Sequence, residues 1–182
     1  MTAHTPIPHE AGTIPRMIEA AAAAYESYIA VYDPDNGGVE LTYREFAEAV
    51  TRFATGLVDL GIRQGERVAI WLPNSWHWMV SAAGALAAGA VIVPLNTRYQ
   101  LGEAADIINR SESIAVITTS GFLGRDYGAE LLASRASMVP AIKHIVSVGD
   151  GIGPVSWSRL AEGNVAFRAE VDRRRAVQSP RD

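Results

Sequence analysis

With 182 residues, the chain is long enough for one domain with a hydrophobic core and short for two. Its 16 basic residues against 20 acidic ones leave a net charge of −4, which excludes a general attraction to nucleic acid or anionic lipid. There is no cysteine, so disulfides, thiolate metal sites and cysteine nucleophiles are excluded together.

Residues 1–13 carry Pro6, Pro8, His4 and His9 and read as a flexible leader without the basic and apolar regions of a signal peptide. A cytoplasmic protein is expected. The longest apolar stretch, residues 78–95, is broken by Ser81, Gly84, Gly89 and Pro94, so it divides into a helix and a strand and gives no membrane span. Residues 14–25 are alanine-rich with Pro15 in the first turn, as in a surface helix. Around Asp33-Pro34-Asp35-Asn36-Gly37-Gly38, the β-prone residues 29–32 and 39–42 predict a hairpin.

The next helix carries its own start signal. Thr42 and Glu45 have capping-box spacing, and Leu41 and Phe46 form the matching hydrophobic staple. Phe46, Ala49, Val50, Phe53, Leu57 and Leu60 share one face, and Gly61 can supply the left-handed residue past the end. Residues 68–72, 91–95, 114–118 and 142–148 are short runs rich in β-branched residues without polar alternation, as in strands buried on both faces. Helix-sized segments separate them. The expected fold class is α/β, a mostly parallel, doubly wound sheet with flanking helices over residues 14–164. A turn is expected at residues 151–154 and a short helix at 156–161. Residues 165–182 read as linker or tail, with Arg173-Arg174-Arg175 a phosphate clamp or, as expected, a solvated charge run.

Ligands of open α/β sheets bind beyond the carboxyl ends of the strands. The loops there are residues 73–75, 96–99, 119–121 and 149–150, and Asn96-Thr97-Arg98-Tyr99 is the richest. Arg98 can hold a phosphate or carboxylate, or pair with a neighbouring acid while Asn96 and Thr97 turn the chain. No dinucleotide fingerprint, Walker A motif or lipase elbow is present. Thr118-Thr119-Ser120-Gly121 begins like a phosphate loop but continues without a lysine and is rejected as one. In Trp76-His77-Trp78, His77 could be a general base and the indoles a ligand platform; packing at a helix start, with Asn74 or Ser75 as cap, is the expectation.

Leu41-Thr42-Tyr43-Arg44-Glu45-Phe46, Gly61-Ile62, Gly65-Glu66-Arg67-Val68-Ala69-Ile70, Leu72-Pro73-Asn74-Ser75 and residues 88–99 resemble, in order and spacing, the start of ATP-dependent acyl-CoA synthetases of the adenylate-forming superfamily. That superfamily also holds peptide-synthetase adenylation domains and luciferases. Asn96-Thr97-Arg98-Tyr99 looks most like fatty-acyl and aryl CoA ligases. Ile70-Trp71 with Trp76-His77-Trp78 is similar to an actinobacterial branch that includes ligases for steroid-ring-derived acids.

The resemblance implies activation of a hydrophobic carboxylic acid by ATP and Mg2+ through an acyl-adenylate, then transfer to CoA. It places the phosphate loop and its lysine, the adenine and ribose contacts, the metal-coordinating glutamate and the lysine of the mobile domain downstream of this chain. No catalytic or metal-ligating residue is therefore assigned, and the 182 residues alone are expected to be inactive. Position matching nominates Asn96, Thr97 and Arg98 for the pantetheine side of CoA and Arg125 for its phosphate side. Gln100 before Glu103 departs from the Thr or Ser cap of relatives. The alternative is a non-catalytic CoA- or acyl-binding or regulatory module. An apolar surface left uncovered, with self-association through it, is also expected.

Overall fold

The computed structural model describes residues 12–149 and 153–180. Most of the expected leader, with His4 and His9, lies outside them, and the turn at residues 151–154 is described only from Gly153. Helix α1 (Ile14–Ala24) leads into a two-stranded antiparallel hairpin, β1 (Ile29–Asp33) and β2 (Val39–Thr42). Helix α2 (Tyr43–Asp59) starts where the sequence places it. Thr42 Oγ1 accepts the Glu45 N–H at 3.2 Å, and the Glu45 carboxylate accepts the Thr42 N–H at 2.8 Å. It ends where Gly61 turns left-handed at φ +94°.

The alternating pattern then builds one sheet: β3 (Arg67–Trp71), α3 (Trp76–Ala87), β4 (Val91–Pro94), α4 (Leu101–Arg110), β5 (Ala115–Phe122), β6 (Arg125–Asp126), α5 (Tyr127–Met138), β7 (His144–Val148), β8 (Val155–Ser156) and α6 (Trp157–Glu162). The strands lie in the order β4-β3-β5-β7-β8, all neighbours parallel, and β6 pairs antiparallel with the far end of β5.

Strand periodicity sorts the sheet residues between two cores. Val68, Ile70, Ala115, Ile117 and Val146 pack with α2, α3 and α6, whereas Ala69, Trp71, Val116 and Ile145 pack with α4 and α5. Helices thus cover both faces, as the run composition requires of a doubly wound sheet. The exception is β4. It is an edge strand, and Val91 is 39 % exposed, so the expectation of burial on both faces is corrected there.

Two close approaches set the layer over the first face. A Cβ at Gly56 would lie 2.4 Å from the Leu160 carbonyl oxygen, so only glycine lets α2 meet α6 at this distance. Trp157 of α6 donates from Nε1 to Ser81 Oγ of α3 at 2.8 Å, which satisfies both buried polar atoms.

The expectation of a linker over residues 165–182 is also corrected. A 3-10 turn leads into α7 (Arg168–Val177), whose Val171 is fully buried. Arg174 donates to the carbonyls of Ile62 at 2.9 Å and Ala88 at 2.8 Å, just past the carboxyl ends of α2 and α3, and to Glu170 at 2.7 Å. Arg175 reaches Glu19 of α1 at 2.6 Å and Thr51 of α2 at 3.0 Å. Both guanidiniums are buried, and only Arg173 of the triplet is exposed, so neither a solvated run nor a phosphate clamp describes them. Arg174 lies just past the negative ends of two helix dipoles, which favours a cation there, whereas Arg175 is drawn inward by the Glu19 carboxylate and the Thr51 hydroxyl.

Candidate functional site

Chain order reverses between β3 and β5: the chain leaves β3 outward to β4 and then crosses back past β3 to β5. At such a reversal the loops diverge to opposite faces and open a crevice beyond the carboxyl ends. Here two rings fill it. Trp71, the last residue of β3, and Tyr127, the first of α5, are fully buried with centroids 4.4 Å apart.

The loop after β4 rests on this pair. Trp71 Nε1 donates to the Asn96 carbonyl at 3.0 Å, and Tyr127 Oη donates to the Thr97 carbonyl at 2.9 Å. Arg125 Nη1 donates to the Tyr99 carbonyl at 2.9 Å. Within the loop, Asn96 Oδ1 accepts the Arg98 N–H at 2.9 Å and its carbonyl accepts the Tyr99 N–H at 3.1 Å, so Asn96 is the residue that turns the chain.

The structure thus gathers Asn96, Thr97, Arg98 and Arg125 at one place, with unequal freedom. Asn96 and Arg98 are exposed and Thr97 half-buried. Among the described residues no acid pairs with the Arg98 guanidinium. Arg125, by contrast, is held by an acid: Nε and Nη2 meet the two Glu130 carboxylate oxygens at 2.9 and 2.5 Å. Its guanidinium carbon lies 4.6 Å from the Tyr127 ring centroid and 5.6 Å from that of Trp71. Glu130, above all, raises the proton affinity of Arg125 beyond the ordinary arginine value.

The other candidates are structural in their contacts. Ser75 caps α3, accepting the Trp78 N–H at 3.2 Å, and buried Asp33 accepts the Trp76 N–H at 2.8 Å. Asn36, through its side chain, is the first cause holding Asp33 below the usual carboxylate range. His77 lies 4.1 Å from the Trp76 ring and 4.7 Å from that of Trp157, and burial pushes its pKa down. Thr118 lies within β5, fully buried, and residues 120–122 continue as the antiparallel pair with β6. A cavity of about 500 Å3 opens at the opposite end of β4, lined by Pro15, Gln64, Leu86, Val91 and Gln178, remote from these loops. Among the described residues no three His, Asp or Glu side chains form a metal-ligand set, and no helix is long and apolar enough to cross a membrane.

A family model described as AMP-binding enzyme matches residues 18–164. The chain belongs to the AMP-binding enzyme family. The AMP-binding match ends close to α6, so α7 lies outside it although it packs into the same core. The chain is 37 % identical over 175 residues to the 3-[(3aS,4S,7aS)-7a-methyl-1,5-dioxo-octahydro-1H-inden-4-yl]propanoyl:CoA ligase of Rhodococcus jostii, covering 93 % of this chain and 33 % of that protein. It is 34 % identical over 170 residues to the ligase of the same name from Mycobacterium tuberculosis, covering 93 % and 32 %. Apo MbtA of Mycobacterium smegmatis superposes with a TM-score of 0.71 at 29 % identity, covering 88 % of this chain and 32 % of that one. The chain spans about a third of the length of the curated relatives it matches.

The residues that sequence reasoning missed in this site are Trp71, Tyr127 and Glu130. Trp71 reads as an apolar strand residue and Tyr127 as a helix residue, and their polar tips count only once tertiary structure brings residues 25 to 30 positions away beneath them. The spacing of Arg125 and Glu130 was the one local signal of the ion pair.

Proposed function

We propose that this chain supplies the CoA-side surface of a ligase that joins a hydrophobic carboxylic acid to CoA, with ATP converted to AMP and pyrophosphate. The single observation that carries this reading is the Arg98 guanidinium, exposed and without an acidic partner among the described residues, on a braced loop at the carboxyl end of the sheet in a chain of the AMP-binding family. The names of the Rhodococcus and Mycobacterium relatives favour an acid with a fused alicyclic ring body and a propanoate arm.

In the reaction, the acid carboxylate attacks the ATP α-phosphorus and releases pyrophosphate, after which the CoA sulfur attacks the acyl carbon and AMP leaves. Magnesium, when bound, neutralises phosphate charge in the first step. The residues of this chain act on the second substrate. The exposed Asn96 and half-buried Thr97 side chains offer hydrogen bonds to the amides of a pantetheine arm, and Arg98 offers a guanidinium to a phosphate. The adenylating centre is a different matter. The only lysine in the sequence, Lys143, precedes β7 and donates its backbone N–H to the Ile114 carbonyl at the amino edge of the sheet. It lies at the wrong end to serve phosphates held by the carboxyl-edge loops.

Calorimetric titration of CoA into the purified chain tests the proposal. Saturable binding that weakens about tenfold in Arg98→Ala is expected from the loss of one charge-assisted contact. Absence of binding, or identical binding by the variant, contradicts it.

A further inference from the structure

We propose that Trp71, Arg125 and Tyr127 form a pedestal that positions the Asn96–Arg98 loop, and that Arg125 acts through this loop as a positioning residue, without touching a ligand phosphate. The proposal rests on the reading of the loop as the CoA-side surface.

Three side chains from three different elements each donate one hydrogen bond upward, and each takes a different carbonyl of the loop: Asn96, Thr97 and Tyr99. A surface loop ordinarily leaves such carbonyls to water and keeps the corresponding freedom. Holding three of them from one side fixes the backbone and turns the side chains of residues 96–98 to the other. Arg98 then approaches a ligand without the loss of backbone freedom that weakens binding by mobile loops.

The pedestal is itself fixed. Trp71 and Tyr127 are fully buried against one another, and Glu130 takes the Nε–Nη2 edge of the Arg125 guanidinium in a bidentate pair. A phosphate could take that bidentate edge, the strongest anion-binding one, only by displacing Glu130. Displacement of Glu130 would leave its partly buried carboxylate beside the incoming anion, a like-charge juxtaposition that disfavours the exchange. Arg98 has no such competitor among the described residues. The geometry therefore divides the two arginines into one that is presented and one that presents it.

Backbone amide hydrogen exchange, followed by NMR on the full chain, reads the pedestal without any ligand. The reporters are the Arg98 and Tyr99 amides, both bonded to Asn96. In Arg125→Gln, and separately in the milder Tyr127→Phe, these two amides should exchange about tenfold faster, while the Val116 and Ile117 amides of the central strand change far less. Unchanged exchange at Arg98 and Tyr99 in both variants overturns the proposal, as does equal acceleration in loop and strand. Titration with CoA then separates the two readings. If exchange responds and CoA binds, Arg98→Ala should weaken binding much less in the Arg125→Gln background than in the wild-type chain, a coupling that a merely stabilising Arg125 would not produce. Additive effects of the two substitutions overturn the positioning role. If exchange responds and CoA does not bind, the pedestal stands and the proposed function fails.

Discussion

Arg98 and Arg125 lie at the same end of the sheet, yet of the two guanidiniums only that of Arg125 has a partner among the described residues. Residue type cannot separate them, because both are arginines; what separates them is the nearby Glu130 carboxylate and Tyr127 ring together with the Trp71 ring that long-range packing brings beside Arg125. A second pair of residues makes a pH prediction. Burial is the main cause that lowers the pKa of both His77 and His144 from 6.5, assisted at His144 by Lys143 and Arg135 and opposed by Glu66, and opposed at His77 by Asp33. A folded state that holds its imidazoles neutral binds fewer protons than the unfolded chain, so stability is complete above the unfolded pKa and declines as pH falls below it. Thermal melting between about pH 7.5 and pH 5 should show this decline, and His77→Gln with His144→Gln should flatten it. A local prediction concerns Thr42, whose replacement by alanine removes the cap from Glu45 and should cost about 1 kcal/mol in urea unfolding.

At the scale of elements, α2 was legible because its signals are local: a cap, a staple, an apolar face and a terminal glycine all lie within residues 41–61. The strands β3, β5 and β7 were legible because both their faces are buried, which suppresses polar alternation. The edge position of β4 was not, since an apolar run does not reveal whether a neighbour covers it. Helix α7 was missed for a related reason. Its sequence is dominated by charge, and the carbonyls of Ile62 and Ala88 that draw Arg174 inward lie more than eighty residues away. Of the site, the Asn96–Arg98 loop could be read from strand ends and resemblance, whereas its support could not. Arg174→Met should destabilise the chain by on the order of 3 kcal/mol in chemical denaturation, because two helix-end carbonyls and Glu170 lose a buried partner. Gly56→Val should be comparably harmful, since the Leu160 backbone has no room to yield.

For the whole molecule, the edge strand β4 leaves Val91, Ile92 and Val93 with a neighbouring strand on one side only among the described residues, and no charge within the strand blocks pairing by another chain on the other. Concentration-dependent self-association by light scattering is expected, and Ile92→Lys at this edge should reduce it; a monodisperse monomer at all concentrations would oppose that expectation.

The proposed division of labour within the reaction is tested most directly at the adenylation step. The chain has exposed polar groups at the carboxyl edge of its sheet, while its one lysine stands at the amino edge and no described loop joins hydroxyls, glycines and a lysine. Carboxylate-dependent exchange of labelled pyrophosphate into ATP, measured on the purified 182-residue chain, reads the adenylation step alone. No exchange above the no-protein background is expected, whereas robust exchange would place an ATP site within these residues and contradict the assignment of the adenylation step to residues outside them.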